Sequence, residues 1–255
     1  MLSSQSDPVR AVRTNPKAKS PSPGKASCHA ANRDLLNKVY ASVRAALHDI
    51  PDGATIAIGS FGDAGVPFGL IDALIEQGAR DLTIVANNAG SGQDGIAALI
   101  AADRVRKMVC SYPRTSGSVV FEEYYAAGKI ELELLPQGTI GERLRAGAAG
   151  IPGFYTATGA GTILAEGKET RTFDGRDYVL ERALVPDFAF VLGAVGDRHG
   201  NVRTHASARN FGPVMAAAGR VTIAEVREIV ELGGIDPEAV TMPGIFVDRV
   251  VRIAR

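Results

Sequence analysis

Three short stretches of this sequence offer groups suited to holding an anion. They are Gly59, Ser60, Phe61, Gly62, Asp63, Ala64 and Gly65; then Asn87 and Asn88; then Gln137, followed by Gly138. Glycines allow a backbone to approach a ligand closely. Unpaired N–H groups at a helix start bind a carboxylate, a phosphate or a developing oxyanion. Asn and Gln add neutral donors that orient a carboxylate without a permanent opposing charge. Each stretch also has a plainer explanation: a tight strand-to-helix connection, Asn as a turn or cap residue, and Gln as a solvated loop residue. Taken together, at the ends of successive apolar runs, the three are more persuasive than any one.

Other chemistries fit poorly. The glycine loop reads G-x-x-G-x-x-G, not the dinucleotide pattern G-x-G-x-x-G, and Asn87-Asn88 stands where that pattern wants a ribose-binding acid. There is no G-x-x-x-x-G-K-[ST] phosphate loop. His29, His48, His199 and His205 show no metal-ligand spacing, so no metal site is expected. His48 reads as a solvated or capping residue at a helix end, and His199 as part of a turn. Cys110 reads as a small buried hydrophobe. Arg114 and Arg209 are candidate carboxylate binders for which an ordinary ion pair is the plainer role. No residue reads as a nucleophile supplied with its own base. From its residues the chain is an anion-binding domain whose reactive group is missing.

The elements that must position these loops follow from periodicity. Leu35, Leu36, Val39, Val43 and Leu47 recur at helical spacing, which predicts an amphipathic helix from Asp34 to the turn at Pro51-Asp52-Gly53. Strands are expected at 55–58, 82–86, 107–110 and 130–135. Helices are expected from Pro67 to Gly78, through Ile100, over 119–127, and after Gly138, where Thr139 and Glu142 stand in capping-box spacing. Asp174-Gly175 predicts a hairpin between 169–173 and 176–180. Further strands are expected at 188–192, 221–223 and 245–251. This pattern implies an α/β fold: a mostly parallel sheet with helices on both faces, plus a C-terminal mixed or antiparallel portion. In such sheets ligands bind outside the carboxyl ends of the strands.

Lys+Arg and Asp+Glu balance at 28 each, which gives no case for nucleic acid or an acidic membrane as a partner. No apolar run approaches a membrane span. Two cysteines without CxxC spacing suit a reducing cytoplasm. Residues 1–33 are basic and rich in Ser and Pro, and read as a disordered extension. They lack the apolar stretch of a secretory signal and show no amphipathic period that would suit an organelle-targeting peptide. Residues 34–255 then form a single domain.

At the candidate loops the chain resembles the alpha subunits of family I 3-oxoacid CoA-transferases. The segment Asp52 to Pro67 matches that family's signature, with Gly59-Ser60-Phe61 where the family usually has Gly-Gly-Phe. The match continues through Asn87-Asn88-Ala89-Gly90, Pro136-Gln137-Gly138-Thr139, Glu142-Arg143, 159–167 and Ala208 to Phe211, over roughly 36–251. The resemblance implies a ping-pong transfer with a coenzyme A thioester as substrate and no permanently bound cofactor. Its nucleophilic Glu lies in a Ser-Glu-Asn-Gly motif on a beta subunit. That motif does not occur here, so no catalytic nucleophile is expected on this chain, and the partner is a beta subunit in an A2B2 heterotetramer. The resemblance makes Gly59 to Gly65 the CoA-binding loop and places Asn87, Asn88 and Gln137 in the carboxylate and oxyanion region. The implied donor is succinyl-CoA, with 3-oxoadipate as acceptor and acetoacetate as the alternative. A sugar-phosphate isomerase or a non-catalytic CoA-binding domain could use the same architecture.

Overall fold

The computed structural model describes residues 36–115 and 117–253. The expected N-terminal extension lies outside them. The central sheet begins with β1 (Thr55–Ile58), β2 (Leu82–Val85), β3 (Val105–Cys110) and β4 (Glu131–Leu134). It is completed by β8 (Phe188–Asp197), β9 (Val202–Arg203), β10 (Val221–Val230) and β11 (Arg249–Arg252). Its order is β11-β10-β8-β1-β2-β3-β4, with every pair along that path parallel. The short β9 pairs antiparallel with β8.

Alternation along the strands builds two cores. Ile56, Ile58, Ile84, Met108 and Phe190 point to one face, where they pack with Leu47, Leu70, Leu74, Leu99 and Phe121. The helices on that face are α1 (Val43–Ala46), α2 (Phe68–Gln77), α3 (Ile96–Ala101) and α4 (Val120–Ala126). Ala57, Val85, Val109, Ala189 and Val191 point to the other face. They meet Ile140 and Leu144 of α5 (Gln137–Ala148) and Met215 and Ala218 of α6 (Gly212–Ala218). Helices thus cover both faces, as an all-parallel sheet requires. Among the described residues, no helix is long and apolar enough to cross a membrane.

The antiparallel part is a separate sheet of β5 (Gly153–Thr156), β6 (Thr170–Phe173) and β7 (Arg176–Arg182), in the order β5-β7-β6. Its hairpin turns at Asp174 and Gly175, with φ of 48° and 74°. Two positive φ values in a two-residue loop are what the Asp-Gly pair allows. The strands from β8 onward rejoin the parallel sheet, and β8 and β10 run well beyond their expected lengths.

Two local expectations are corrected. Among the described residues of the helix expected from Asp34, only Val43–Ala46 is helical, started by Ser42, whose Oγ accepts the Ala45 N–H at 3.2 Å. Val39 instead bridges to Val250 beyond the sheet edge: the Tyr40 N–H donates to the Val250 carbonyl at 2.8 Å, and the Val250 N–H to the Lys38 carbonyl at 2.7 Å. Pairing with a distant strand overrides helical spacing here. Leu35 lies outside the described residues. The capping box is also absent, because α5 begins three residues earlier, at Gln137, than a cap at Thr139 requires. Pro136, at φ −57° and ψ 140°, precedes it, and its carbonyl accepts the Ile140 N–H at 3.1 Å. Thr139 is buried inside the helix, and Glu142 pairs with Arg145 at 3.2 Å.

Candidate active site

The strand order reverses at β1. From there the chain steps through β2, β3 and β4 on one side, and later through β8, β10 and β11 on the other. A ligand crevice is expected outside the carboxyl ends of the strands at such a reversal. The loops after β1, β2, β3 and β4 all open there. They form a cleft of about 610 Å³ whose lining includes Phe61, Gly62, Asp63, Asn87, Asn88 and Gln137. The three candidate stretches, far apart in sequence, therefore meet in one place. Gly59 and Ser60 lie behind the lining, and Ala64 and Gly65 face a second cavity of about 310 Å³ across the loop.

The glycine loop closes on itself: the Phe61 N–H donates to the Ala64 carbonyl at 2.9 Å, and the Ala64 N–H to that of Phe61 at 3.2 Å. Gly65 has φ of 80°, and a Cβ there would stand 2.7 Å from Asn210 Nδ2 and 2.8 Å from the Ala208 carbonyl. Only glycine fits such a site without displacing its neighbours. Ser60, where the resemblance expects glycine, has no positive φ, so its side chain brings no backbone strain. It is fully buried, and its Oγ has no hydrogen-bond partner among the described residues.

Asn87 is 8% exposed. Its Oδ1 accepts the Ser111 hydroxyl at 2.8 Å, and its carbonyl accepts the Ser111 and Tyr112 N–H groups. The amide nitrogen is the group Asn87 can offer to the cleft. Asn88 serves the framework: its Oδ1 accepts the Gly90 N–H at 2.9 Å and its Nδ2 reaches the Gly62 carbonyl at 3.4 Å. This ties the loop after β2 to the loop after β1. Gln137 is exposed at the first turn of α5, and not in a loop. Behind it, burial would push Glu133 up, but hydrogen bonds from Lys107 and Arg143, each 2.6 Å, outweigh this and hold its carboxyl below the usual range. Glu133 is thereby fixed as a structural anion.

The plainer readings of Cys110, His48, His199 and Arg114 describe what is seen, whereas Arg209 shows no ion pair among the described residues and lines a separate cleft. Burial pushes the Cys110 thiol up to about 12, and the side chain is part of the core. His48 Nδ1 lies 3.0 Å from the Ala45 carbonyl at the end of α1. The His199 N–H donates to Asp197 Oδ1 in a turn. Arg114 pairs with Glu122 at 3.0 Å on the surface. Asp63 is the only His, Cys or acidic residue among the described residues lining the 610 Å³ cleft.

Sequence reasoning missed Ser111, Tyr112 and Thr115, which line the same cleft. Their position directly after a strand, as for Asn87, was the available signal. It also undervalued Asn210. This residue donates from Nδ2 to the Ala64 carbonyl at 2.8 Å and to the Ser207 carbonyl at 2.9 Å, and its Oδ1 accepts the Phe211 N–H at 2.6 Å. Asn210 pins the segment before α6 against the glycine loop. No local rule reaches from 210 to 64.

Comparison with known proteins places this geometry. Residues 40–252 match the family model for coenzyme A transferase. The chain is 56% identical over 220 residues to the A subunit of 3-oxoadipate CoA-transferase from Pseudomonas putida, covering 86% of this chain and 95% of the relative. It is 53% identical over 215 residues to the A subunit of succinyl-CoA:3-ketoacid coenzyme A transferase from Xanthomonas campestris, covering 84% and 88%. Among solved structures, an acyl-CoA transferase from E. coli O157:H7, in a thioester complex with CoA, matches with a TM-score of 0.76 at 25% identity. That match covers 87% of this chain and 48% of the other, so the chain spans about half the length of that protein. A parallel sheet reversing at β1, a glycine loop beside an amide-lined cleft, and a family match over nearly all the described residues lead to one conclusion: the chain belongs to the coenzyme A transferase family.

Proposed function

We propose that this chain is the alpha subunit of a transferase that takes CoA from succinyl-CoA and passes it to a 3-oxo acid, with 3-oxoadipate preferred over acetoacetate. The observation that carries this reading is the cleft itself. It gathers amide donors from Asn87 and Gln137 beside a glycine loop, and among its described lining residues it has no glutamate, histidine or cysteine. Such a cleft can hold an acyl group and its developing oxyanion, and its one carboxylate, Asp63, is assigned to the CoA-binding loop, with no histidine or lysine in the lining to act as a base. The nucleophile then comes from a beta subunit, and we take the assembly to be an A2B2 heterotetramer in the cytoplasm. The names of relatives with 56% and 53% identity support the substrate classes. Residues 34–255 act in this reading as one domain, with residues 1–33 as an extension.

In the proposed sequence, the partner's glutamate carboxylate attacks the thioester carbonyl of succinyl-CoA. The C–S bond breaks, leaving a mixed anhydride and CoA thiolate. The thiolate then attacks the glutamyl carbonyl, giving a glutamyl-CoA thioester and free succinate. The acceptor carboxylate attacks that thioester, and the same steps in reverse release its CoA ester and the glutamate. Asn87, Asn88 and Gln137 belong to the carboxylate and oxyanion region, with Asn88 acting through its hold on the glycine loop. Gly59 to Gly65 let CoA approach the backbone. The test is reconstitution: the purified chain alone gives no exchange of CoA between acids, and adding a cognate beta subunit restores it. Turnover by this chain free of any second subunit would overturn the reading.

A further inference from the structure

Gln137 lines two clefts. Beyond the 610 Å³ cleft lies an open one of about 770 Å³ between α5 and the segment leading into α6, lined in part by Gln137, Arg145, Arg209, Phe211 and Val214. Its charges are unevenly matched. Arg145 Nη2 is paired with Glu142 at 3.2 Å, so those two largely offset each other. Arg209 is exposed and has no ion pair or side-chain hydrogen bond among the described residues. Its backbone is nonetheless fixed: the turn Ala206–Arg209 runs into Asn210, whose three hydrogen bonds reach Ala64 of the glycine loop, Ser207 of the turn itself and Phe211. The remaining lining near Gln137 includes Phe211, Pro213 and Val214, apolar surface suited to methylene groups.

We infer that Arg209 is a specificity-determining residue that receives the second carboxylate of a dicarboxylic acceptor. This rests on the function proposed above. With the reacting carboxylate beside Asn87 and Gln137, the carbon chain of 3-oxoadipate passes Gln137, lies on Phe211 and Val214, and ends at the guanidinium. A guanidinium matches a carboxylate with two parallel donors. Acetoacetate has no group to place there and leaves Arg209 as it is in the free protein. Arg114 already pairs with Glu122 and is absent from the lining of this cleft. A phosphate of CoA offers the same anionic chemistry and is the competing source.

The test uses the complex reconstituted with its beta subunit and compares wild type with Arg209→Met and Arg209→Lys. The readout is the ratio of kcat/KM for 3-oxoadipate to kcat/KM for acetoacetate at fixed succinyl-CoA. Both acceptors meet the same enzyme–CoA intermediate, so any effect on the donor half-reaction cancels in the ratio. Losing one charge-assisted contact lowers the ratio by about tenfold or more in Arg209→Met, with partial recovery in Arg209→Lys. A ratio unchanged within about twofold overturns the inference. If both acceptors weaken equally and KM for the CoA thioester rises, Arg209 holds a CoA phosphate and the inference fails. Transfer to neither acid by the wild-type complex refutes the underlying function instead, which is a separate outcome. Gel filtration of each variant with its partner confirms assembly, and Arg209→Lys keeps the test decisive if Arg209→Met does not assemble.

Discussion

The glycine loop offers a matched pair of substitutions whose costs differ for a reason visible in the structure. Gly62 and Gly65 both have positive φ, at 59° and 80°. An alanine at either pays about 1–2 kcal/mol for a left-handed backbone. At Gly62 the added methyl meets nothing within 4 Å. At Gly65 it would lie 2.7 Å from Asn210 Nδ2, 2.8 Å from the Ala208 carbonyl and 3.2 Å from Ala208 Cα. Two of those atoms are backbone and cannot swing away. Forcing a methyl into such a site costs about 1–3 kcal/mol. Displacing Asn210 from the Ala64 carbonyl adds about 1 kcal/mol for the lost hydrogen bond. Gly65→Ala is therefore expected to destabilise by about 4 kcal/mol, and Gly62→Ala by about 1 kcal/mol. The gain from a stiffer unfolded chain is the same for both and drops out of the difference. Urea unfolding, followed by far-UV circular dichroism, gives both values from the midpoint and slope. If Gly65→Ala is no more destabilising than Gly62→Ala, the close packing of the 206–211 segment on the loop is wrong, and with it the account of Asn210.

Two further outcomes follow from the same structure. Arg249, 8% exposed, donates to both Asp49 carboxylate oxygens at 2.6 Å and to the Ala46 carbonyl at 2.7 Å, which ties the end of α1 to β11. These hydrogen bonds hold the Asp49 carboxyl below its ordinary 3.8. Asp49→Asn should thus cost about 2 kcal/mol at neutral pH, since it strips a nearly buried guanidinium of its partner while Asp49 itself stays partly solvated. Because the folded-state value is the lower one, that stability is present above 3.8 and is lost as pH falls through the folded value. Wild type and variant should converge in acid, and a gap that persists there would contradict the assignment. Gln137→Ala in the reconstituted complex should leave assembly intact and lower turnover roughly a hundredfold, the usual cost of one oxyanion donor, about 3 kcal/mol. Unchanged kinetics would return Gln137 to the status of an exposed first-turn residue.

Local rules made part of this molecule legible without coordinates. Short, nearly continuous apolar runs such as Thr55–Ile58 mark buried strands, because a parallel sheet is covered on both faces. Gly78 ends α2 with φ of 99°, and Asp174-Gly175 turns the hairpin, because few residues tolerate such angles. The loops after β1, β2 and β4 could be marked as candidates from their residue types alone. Tertiary structure decided what depends on contacts between distant residues. Val39 belongs to a bridge with Val250 although its neighbours have helical spacing. Thr139 is buried within α5 although its spacing to Glu142 suits a cap. The register Ile56↔Phe188 sets β8 beside β1 and creates the strand reversal at which the cleft opens. Asn210 reaches Ala64 across 146 positions to hold the loop. Periodicity reports which face of an element is apolar. It carries nothing about which distant element satisfies that face or its hydrogen bonds, and the cleft is made by those choices.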